Sequence, residues 1–169
     1  MSKVKMLTIT GFFMSLVTVV TAYLVFPIAW GYLNLGDSII MLLATTLPGG
    51  MMFFIGGVGS AFADVLLGYS QYALFTLVIK GLEGVLVVYL VQKSKLGFKW
   101  ILPFVVAGLW IALGYALTDA LLYQDVAVGI ASFGYNLLQG ATSAAIAIGL
   151  NRLVTPLLGK LWTNNRNLL

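Results

Sequence analysis

The chain has 169 residues, of which 61% are apolar and 8% are charged, and its mean hydropathy is +1.04. A soluble domain of this length needs far more charge to cover its surface, so the composition excludes a soluble globular protein. The net charge of +4 does not indicate nucleic-acid binding, because the basic residues lie at the ends of apolar segments. Cysteine and histidine are absent from the sequence, which removes thiolate chemistry and the commonest metal ligand. We expect an integral membrane protein that is not an enzyme and holds no metal.

Six apolar segments follow one another along the chain, at about residues 6–26, 37–47, 51–67, 73–91, 100–122 and 126–150. The first is roughly 30 Å long as a helix, enough for one crossing, and Pro27 is predicted to end it. It lacks a small-residue cleavage site, so we expect it to be retained in the mature protein. Residues 28–36 are predicted to form an exposed or re-entrant loop, and Asp37 is predicted to cap the helix that follows. Proline and glycine at 48–50 separate the second segment from the third.

The basic residues give the topology. Eight of the nine lie at the N-terminus, in one middle loop and in the C-terminal tail: Lys3, Lys5, Lys93, Lys95, Lys99, Arg152, Lys160 and Arg166. Counting residues 37–67 as two passes places all three clusters on the cytoplasmic side, whereas one pass would put the middle cluster outside. We therefore predict an all-α membrane protein: one domain over residues 1–169, a compact bundle of six transmembrane helices with both termini cytoplasmic.

The ninth basic residue, Lys80, lies inside an apolar segment with Glu83 one helical turn away. By helical rise these two lie roughly 10 and 15 Å below the outer end of their segment. The other strongly polar groups of the predicted helices also fall in the outer half or the middle of the membrane: Asp64, Asp119, Asn136 and Gln139. This asymmetry predicts a pocket that opens to the outside and is closed below, whereas a channel carries polar lining through its full depth.

Each of these polar groups also has a structural explanation. Lys80 and Glu83 can simply neutralise each other, and the carboxylates near helix ends can be half-solvated. Asn136 and Gln139 can serve as hydrogen bonds between helices. A second pattern, the small residues Gly11, Ser15, Thr18 and Ala22, lines one face of the first segment. Such a face either packs inside the bundle or docks against a partner protein in the membrane.

Four stretches in this order resemble the substrate-binding S components of energy-coupling factor (ECF) vitamin importers. They are NLGDSIIM (residues 34–41), GSAFADVLLGY (59–69), IKGLEG (79–84) and NLLQG (136–140). The resemblance covers nearly the whole chain and is closest to members assigned to hydroxymethylpyrimidine or pyridoxine. It implies a transporter subunit in the plasma membrane of a bacterium. This subunit binds a vitamin from outside and then associates with a transmembrane coupling (T) subunit and two ATPase (A) subunits.

The resemblance also implies roles for particular residues. Relatives carry an Ala-x-x-x-Ala face on the first helix for contact with the coupling subunit, and Gly11 and Ser15 stand in the corresponding positions here. No Walker motif occurs in the sequence, so we expect no cofactor in this chain and ATP bound only by the partner subunits. The candidate substrate-binding residues are Trp30, Asn34, Lys80, Glu83, Tyr115, Asp119, Asn136 and Gln139. Their amide, carboxylate and ammonium groups suit a small heteroaromatic ring with hydroxyl groups, on which Trp30 or Tyr115 can stack.

Two other classes of protein use the same residues. A free-standing ion-coupled carrier or channel would use Asp64, Lys80, Glu83 and Asp119 as a relay. An intramembrane aspartyl protease would pair Asp64 with Asp119, but the Gly-x-Gly-Asp context of such proteases is missing from the sequence. A purely structural subunit would not need so many costly polar groups in the membrane.

Overall fold

The computed structural model describes residues 2–28, 31–93 and 101–163. Helices account for most of this part of the chain: α1 (Lys3–Tyr23), α2 (Gly36–Leu43), α3 (Gly49–Leu66), α4 (Ala73–Lys93), α5 (Leu102–Leu122) and α6 (Val126–Thr163). An antiparallel hairpin of two strands, β1 (Val25–Ile28) and β2 (Gly31–Asn34), connects α1 to α2. The prediction of a helical membrane protein with six helices is confirmed.

Five of the described helices, all except α2, are long and apolar enough to cross a membrane. Large apolar side chains such as Leu7, Leu74 and Leu117 are exposed on them, which is typical of helices that face lipid. α2 has eight residues, which is about 12 Å of helix, so it does not span a bilayer by itself. The second predicted segment is therefore a short helix that covers only part of the membrane thickness.

The β1–β2 hairpin replaces the predicted loop at residues 28–36. α1 ends at Tyr23, earlier than predicted, and Val25 then pairs with Asn34 across the hairpin. The early end fits the sequence, because Pro27 cannot continue a helix while Val25 and Phe26 favour extended backbone. A two-stranded hairpin tolerates Pro27 because each strand is an edge strand.

α6 is longer than predicted and continues to Thr163 with Pro156 inside it. The predicted end near residue 150 coincides with the end of the apolar run. Packing holds the helix beyond that point, since Val154 and Leu158 lie against the core and the hydroxyl oxygens of Thr155 and Thr45 are 2.8 Å apart. Tertiary contacts therefore extend the helix past its apolar stretch.

The buried core lies toward the end of the bundle that contains the N-terminus of α1 and the C-terminus of α4. Its buried apolar residues come from every helix: Val17 (α1), Met41 (α2), Met52 and Ile55 (α3), Val87 (α4), Phe104, Ala107 and Ile111 (α5), and Ala144 and Ala147 (α6). On α3 and α5 the core residues precede the polar positions in sequence, and on α4 and α6 they follow them. The apolar and polar halves of the bundle are thus separated along the helix axes, as predicted.

Close contact between α3 and α4 sets the position of Lys80. The middle of α3, Phe53–Val58, is π-helical and presents Gly56 and Gly57 to α4. A Cβ atom on Gly56 would lie 2.5 Å from the carbonyl oxygen of Lys80, and one on Gly57 would lie 2.4 Å from that of Leu77. Only glycine fits at these positions, and the short interhelical distance brings the backbone of Lys80 directly against α3.

Candidate functional site

A cavity of about 520 Å³ lies at the end of the bundle opposite the apolar core. The C-terminal ends of α1, α3 and α5 and the N-terminal halves of α4 and α6 surround it, together with β2 and the loops between helices. Its lining consists of Thr21, Asn34, Ser60, Asp64, Tyr69, Tyr72, Thr76, Lys80, Tyr115, Asp119, Tyr123, Val128, Ala131, Ser132, Tyr135, Asn136 and Gln139. The volume is in the usual range for small-molecule sites.

Six of the predicted binding residues line this cavity: Asn34, Lys80, Tyr115, Asp119, Asn136 and Gln139. Glu83 does not line it and is fully buried behind Lys80, one turn further into the bundle. Trp30 lies outside the described residues. The structure thus gathers side chains from β2, α4, α5 and α6 that are far apart in sequence.

An ion pair connects α4 to α2 beneath the cavity. The Nζ atom of Lys80 donates to Oδ1 of Asp37, and both side chains are buried. Glu83 is the weaker partner, since its Oε2 lies 3.9 Å from Nζ. The prediction of Asp37 as a helix cap is wrong: α2 begins one residue earlier, and the Asp37 carboxylate binds Lys80 because a buried ammonium needs a counter-charge more than the helix end needs a cap.

The side-chain amide of Gln139 fixes the hairpin to α6. Its Nε2 donates to the carbonyl oxygen of Asn34 at 2.8 Å, and its Oε1 accepts from the N–H of Asn34 at 3.1 Å. The same Nε2 lies 2.9 Å from Oδ2 of Asp37. One residue of α6 therefore links the last residue of β2 to the ion pair, and the amide continues the hydrogen bonding of the strand edge.

A second polar cluster surrounds Asp119 nearer the cavity mouth. Oδ1 accepts from the Tyr72 hydroxyl at 2.7 Å, and Oδ2 accepts from the Ser132 hydroxyl. The Asn136 amide donates to Ser132 Oγ at 3.0 Å, so it acts on Asp119 through the serine. Burial, together with the hydrogen bond to Asp119, raises the pKa of Tyr72, which keeps its hydroxyl protonated as a donor.

Tyr115 presents an aromatic face next to the ion pair. Its ring centroid lies 5.3 Å from Nζ of Lys80, and its hydroxyl is 3.0 Å from Oγ1 of Thr76. A cation over a ring at this distance is attracted by the ring quadrupole. Both contacts hold the ring in place, so a planar ligand would meet a fixed aromatic wall.

Several lining residues were not among the predicted binding residues. Five tyrosines surround the cavity, and only Tyr115 was predicted; the others are Tyr69, Tyr72, Tyr123 and Tyr135. Tyr69, Tyr72 and Tyr123 lie at or near the outer ends of the predicted helices, which is a signal that the sequence contains. Thr21 and Ser60 offer no such signal, because small hydroxyl residues in apolar helices usually indicate packing.

The small-residue face of α1 is divided. Ala22 is buried within the bundle, and the Thr18 hydroxyl donates to the carbonyl oxygen of Gly59 at 2.8 Å. Gly11 has open space where a side chain would be, and Ser15 is exposed. The cavity-proximal half of the predicted docking face is therefore occupied by α3, and the half nearer the N-terminus is open.

A helical membrane protein with a polar cavity at one end and a closed apolar core at the other belongs to the class that binds a solute from one side. Comparison with known proteins identifies the family within this class. Residues 1–155 match the family of the ECF-type riboflavin transporter, S component, and the chain belongs to this family. It is thus a membrane-embedded substrate-binding subunit of an ECF transporter. The chain is also 37% identical over 143 residues to a Pyrococcus woesei protein described as an uncharacterized protein in the gap 3′ region, covering 85% of this chain and 95% of that protein.

The family match confirms the predicted S component. It does not confirm the hydroxymethylpyrimidine or pyridoxine type that the sequence motifs favoured, because the family is named for riboflavin.

Proposed function

We propose that this subunit captures a water-soluble vitamin from outside the cell and releases it inside through a transmembrane coupling subunit and two ATPases. The observation that carries the proposal is the polar cavity at one end of an otherwise apolar bundle. The basic residues at the opposite end, Lys3, Lys5 and Lys93, orient the cavity to the outside by the positive-inside rule. Since the chain has no nucleotide-binding loop, energy for release comes from its partners.

Riboflavin is the first candidate for the vitamin. The family name favours it, and a cavity of about 520 Å³ is larger than one six-membered ring with hydroxymethyl groups would fill. The Tyr115 face suits a planar ring system, and the many hydroxyl, amide and carboxylate groups suit a hydroxylated chain. Hydroxymethylpyrimidine and pyridoxine are the second candidates, because the sequence motifs resemble S components for those compounds.

Binding measured on the purified chain tests the proposal. Riboflavin fluorescence should be quenched on titration with the protein in detergent, without ATP, and the melting temperature should rise with ligand. The same thermal assay with hydroxymethylpyrimidine and pyridoxine distinguishes the candidates. If no vitamin raises the melting temperature, the proposed function is wrong.

The partner subunits are the second part of the proposal. The open half of the α1 face, at Gly11 and Ser15, is where close approach of a coupling subunit is sterically free. Co-purification of the chain with a membrane subunit and two ATPases from its native membrane would support this assembly. Uptake of vitamin by liposomes that contain this chain alone would instead favour a free-standing carrier. The closed apolar core argues against a channel, which needs a polar path through the membrane.

A further inference from the structure

Three polar atoms in the cavity wall lack a hydrogen-bond partner among the described residues. They are Oγ1 of Thr21, Oγ of Ser60 and Oδ2 of Asp64, and all three atoms are buried. Ser60 as a whole is only 1% exposed. Buried polar groups in folded proteins are almost always paired, so three unpaired atoms around one cavity require an explanation.

These atoms do not use the partner that helical hydroxyl groups normally use. A serine or threonine in a helix often donates to the carbonyl oxygen four residues earlier. Thr10, Ser15 and Thr118 do so here, at 2.8–3.0 Å. Thr21 and Ser60 make no such bond. Their hydroxyl groups therefore make no hydrogen bond to another described residue.

The three residues belong to one wall, which we call the α1–α3 wall (Thr21, Ser60 and Asp64). Ser60 and Asp64 are one helical turn apart on α3 and so share a face. α1 and α3 touch at Gly59, where a Cβ atom would lie 2.8 Å from the carbonyl oxygen of Met14. Thr21 is further along α1 than this contact, toward the cavity.

Other polar groups of the cavity lining differ because they are already paired. Both oxygens of Asp119 accept hydrogen bonds, and Lys80 and Gln139 are bound to Asp37. A ligand that binds these groups must compete with their protein partners, whereas the three unpartnered atoms of the α1–α3 wall have no hydrogen bond to lose.

We propose that the α1–α3 wall is the subsite for the hydroxyl-bearing part of the ligand. This inference rests on the proposed function and specifies which part of the vitamin each wall recognises. Oδ2 of Asp64 only accepts when ionised, so it selects a ligand O–H or N–H donor. The hydroxyl groups of Thr21 and Ser60 both donate and accept, which matches an alcohol group. The planar ring then lies against Tyr115.

Comparing two flavins distinguishes recognition of the hydroxylated chain by the α1–α3 wall from binding of the flavin ring. Riboflavin and lumiflavin share the ring system, but lumiflavin has a methyl group in place of the hydroxylated chain. We expect the wild-type chain to bind riboflavin more tightly than lumiflavin. Ser60→Ala, Thr21→Val and Asp64→Asn should each weaken riboflavin binding about tenfold and lumiflavin binding less than about threefold. The readout is quenching of flavin fluorescence.

Thr8→Val, which removes an exposed hydroxyl of α1, is the matched control and should change neither affinity. The melting temperature of each variant without ligand checks that it folds. Ser60→Ala should not lower the melting temperature, because the Ser60 hydroxyl makes no hydrogen bond that the variant would lose. Equal losses for both flavins, or equal wild-type affinities, overturn the subsite and leave the proposed function standing. If the wild type binds pyridoxine instead, 4-deoxypyridoxine replaces lumiflavin as the deoxygenated partner. A wild type that binds no vitamin overturns the proposed function itself.

Discussion

The ammonium group of Lys80 on α4 binds the carboxylate of Asp37 on α2, inside a membrane bundle and across 43 positions of sequence. Both residues are buried, and the pair anchors the short helix α2 to a full membrane span. Lys80 lines the cavity, while Asp37 reaches Gln139 and through it the hairpin. The ion pair thus connects three elements that surround the site.

Breaking this pair should destabilise the protein. Lys80→Met leaves the Asp37 carboxylate without its counter-charge, and removal of one partner of a buried pair costs about 3–5 kcal/mol. The melting temperature of the purified chain should fall clearly. The double variant Asp37→Asn with Lys80→Met should recover part of the loss, because it removes the uncompensated charge.

The control for this experiment is Lys93→Met, at the exposed C-terminal end of α4, which should change the melting temperature little. Additive losses in the double variant would show that the two side chains do not act as a pair.

The hairpin should loosen when Gln139 is removed. Gln139→Ala deletes two hydrogen bonds to the backbone of Asn34, so β2 loses its attachment to α6. We expect faster amide hydrogen exchange in peptides that cover residues 25–34, and weaker ligand binding, because Asn34 lines the cavity. Gln92→Ala, at an exposed position of α4, is the matched control. Unchanged exchange in the hairpin would mean that other contacts hold it.

Phosphorylated vitamins should bind poorly. Lys80 is the one cationic residue among the described residues of the cavity lining, and Asp37 already neutralises it. Asp64 and Asp119 also line the cavity, so a phosphate group would meet like charges, which cost several kcal/mol when juxtaposed. Flavin mononucleotide should therefore bind at least about tenfold more weakly than riboflavin. A competition titration measures both affinities. Asp119→Asn should narrow this difference, and equal affinities of the wild type for both would contradict the charge argument.

Membrane physics explains why the helices could be predicted. A span needs about 20 apolar residues, so long apolar runs and clustered lysines define the helices and their direction. The hairpin does not follow from this logic because its strands are too short to span. The apolar pattern does predict a helix at residues 37–47, but α2 is shorter than that segment, and Lys80 and Gln139 of other helices hold the two elements. Asp37 was misjudged for the same reason: capping is a local preference, whereas its actual partner is 43 positions away.

The cavity lining was predictable only in part. Charged and amide side chains are so costly in a membrane that Lys80, Asp119 and Gln139 stand out in the sequence. A hydroxyl side chain costs little free energy in a membrane helix, because it usually donates a hydrogen bond to the backbone of its own helix, as Ser15 does. Nothing in the sequence shows that Ser60 does not make this bond, because that depends on where α1 lies against α3.

The open half of the α1 face should serve the partner complex and not the ligand. Gly11→Leu places a large side chain where the free subunit has open space, so the variant should fold and bind vitamin with unchanged affinity. It should nevertheless lose most co-purification with the coupling subunit and ATPases, because close helix approach is blocked. Ser15→Leu should behave in the same way.

Phe12→Leu, an exposed position on a different side of α1, is the control and should retain assembly. Thr18→Leu should instead lower the melting temperature, because the Thr18 hydroxyl binds Gly59 inside the bundle. If Gly11→Leu assembles as well as the wild type, the coupling subunit contacts a different surface.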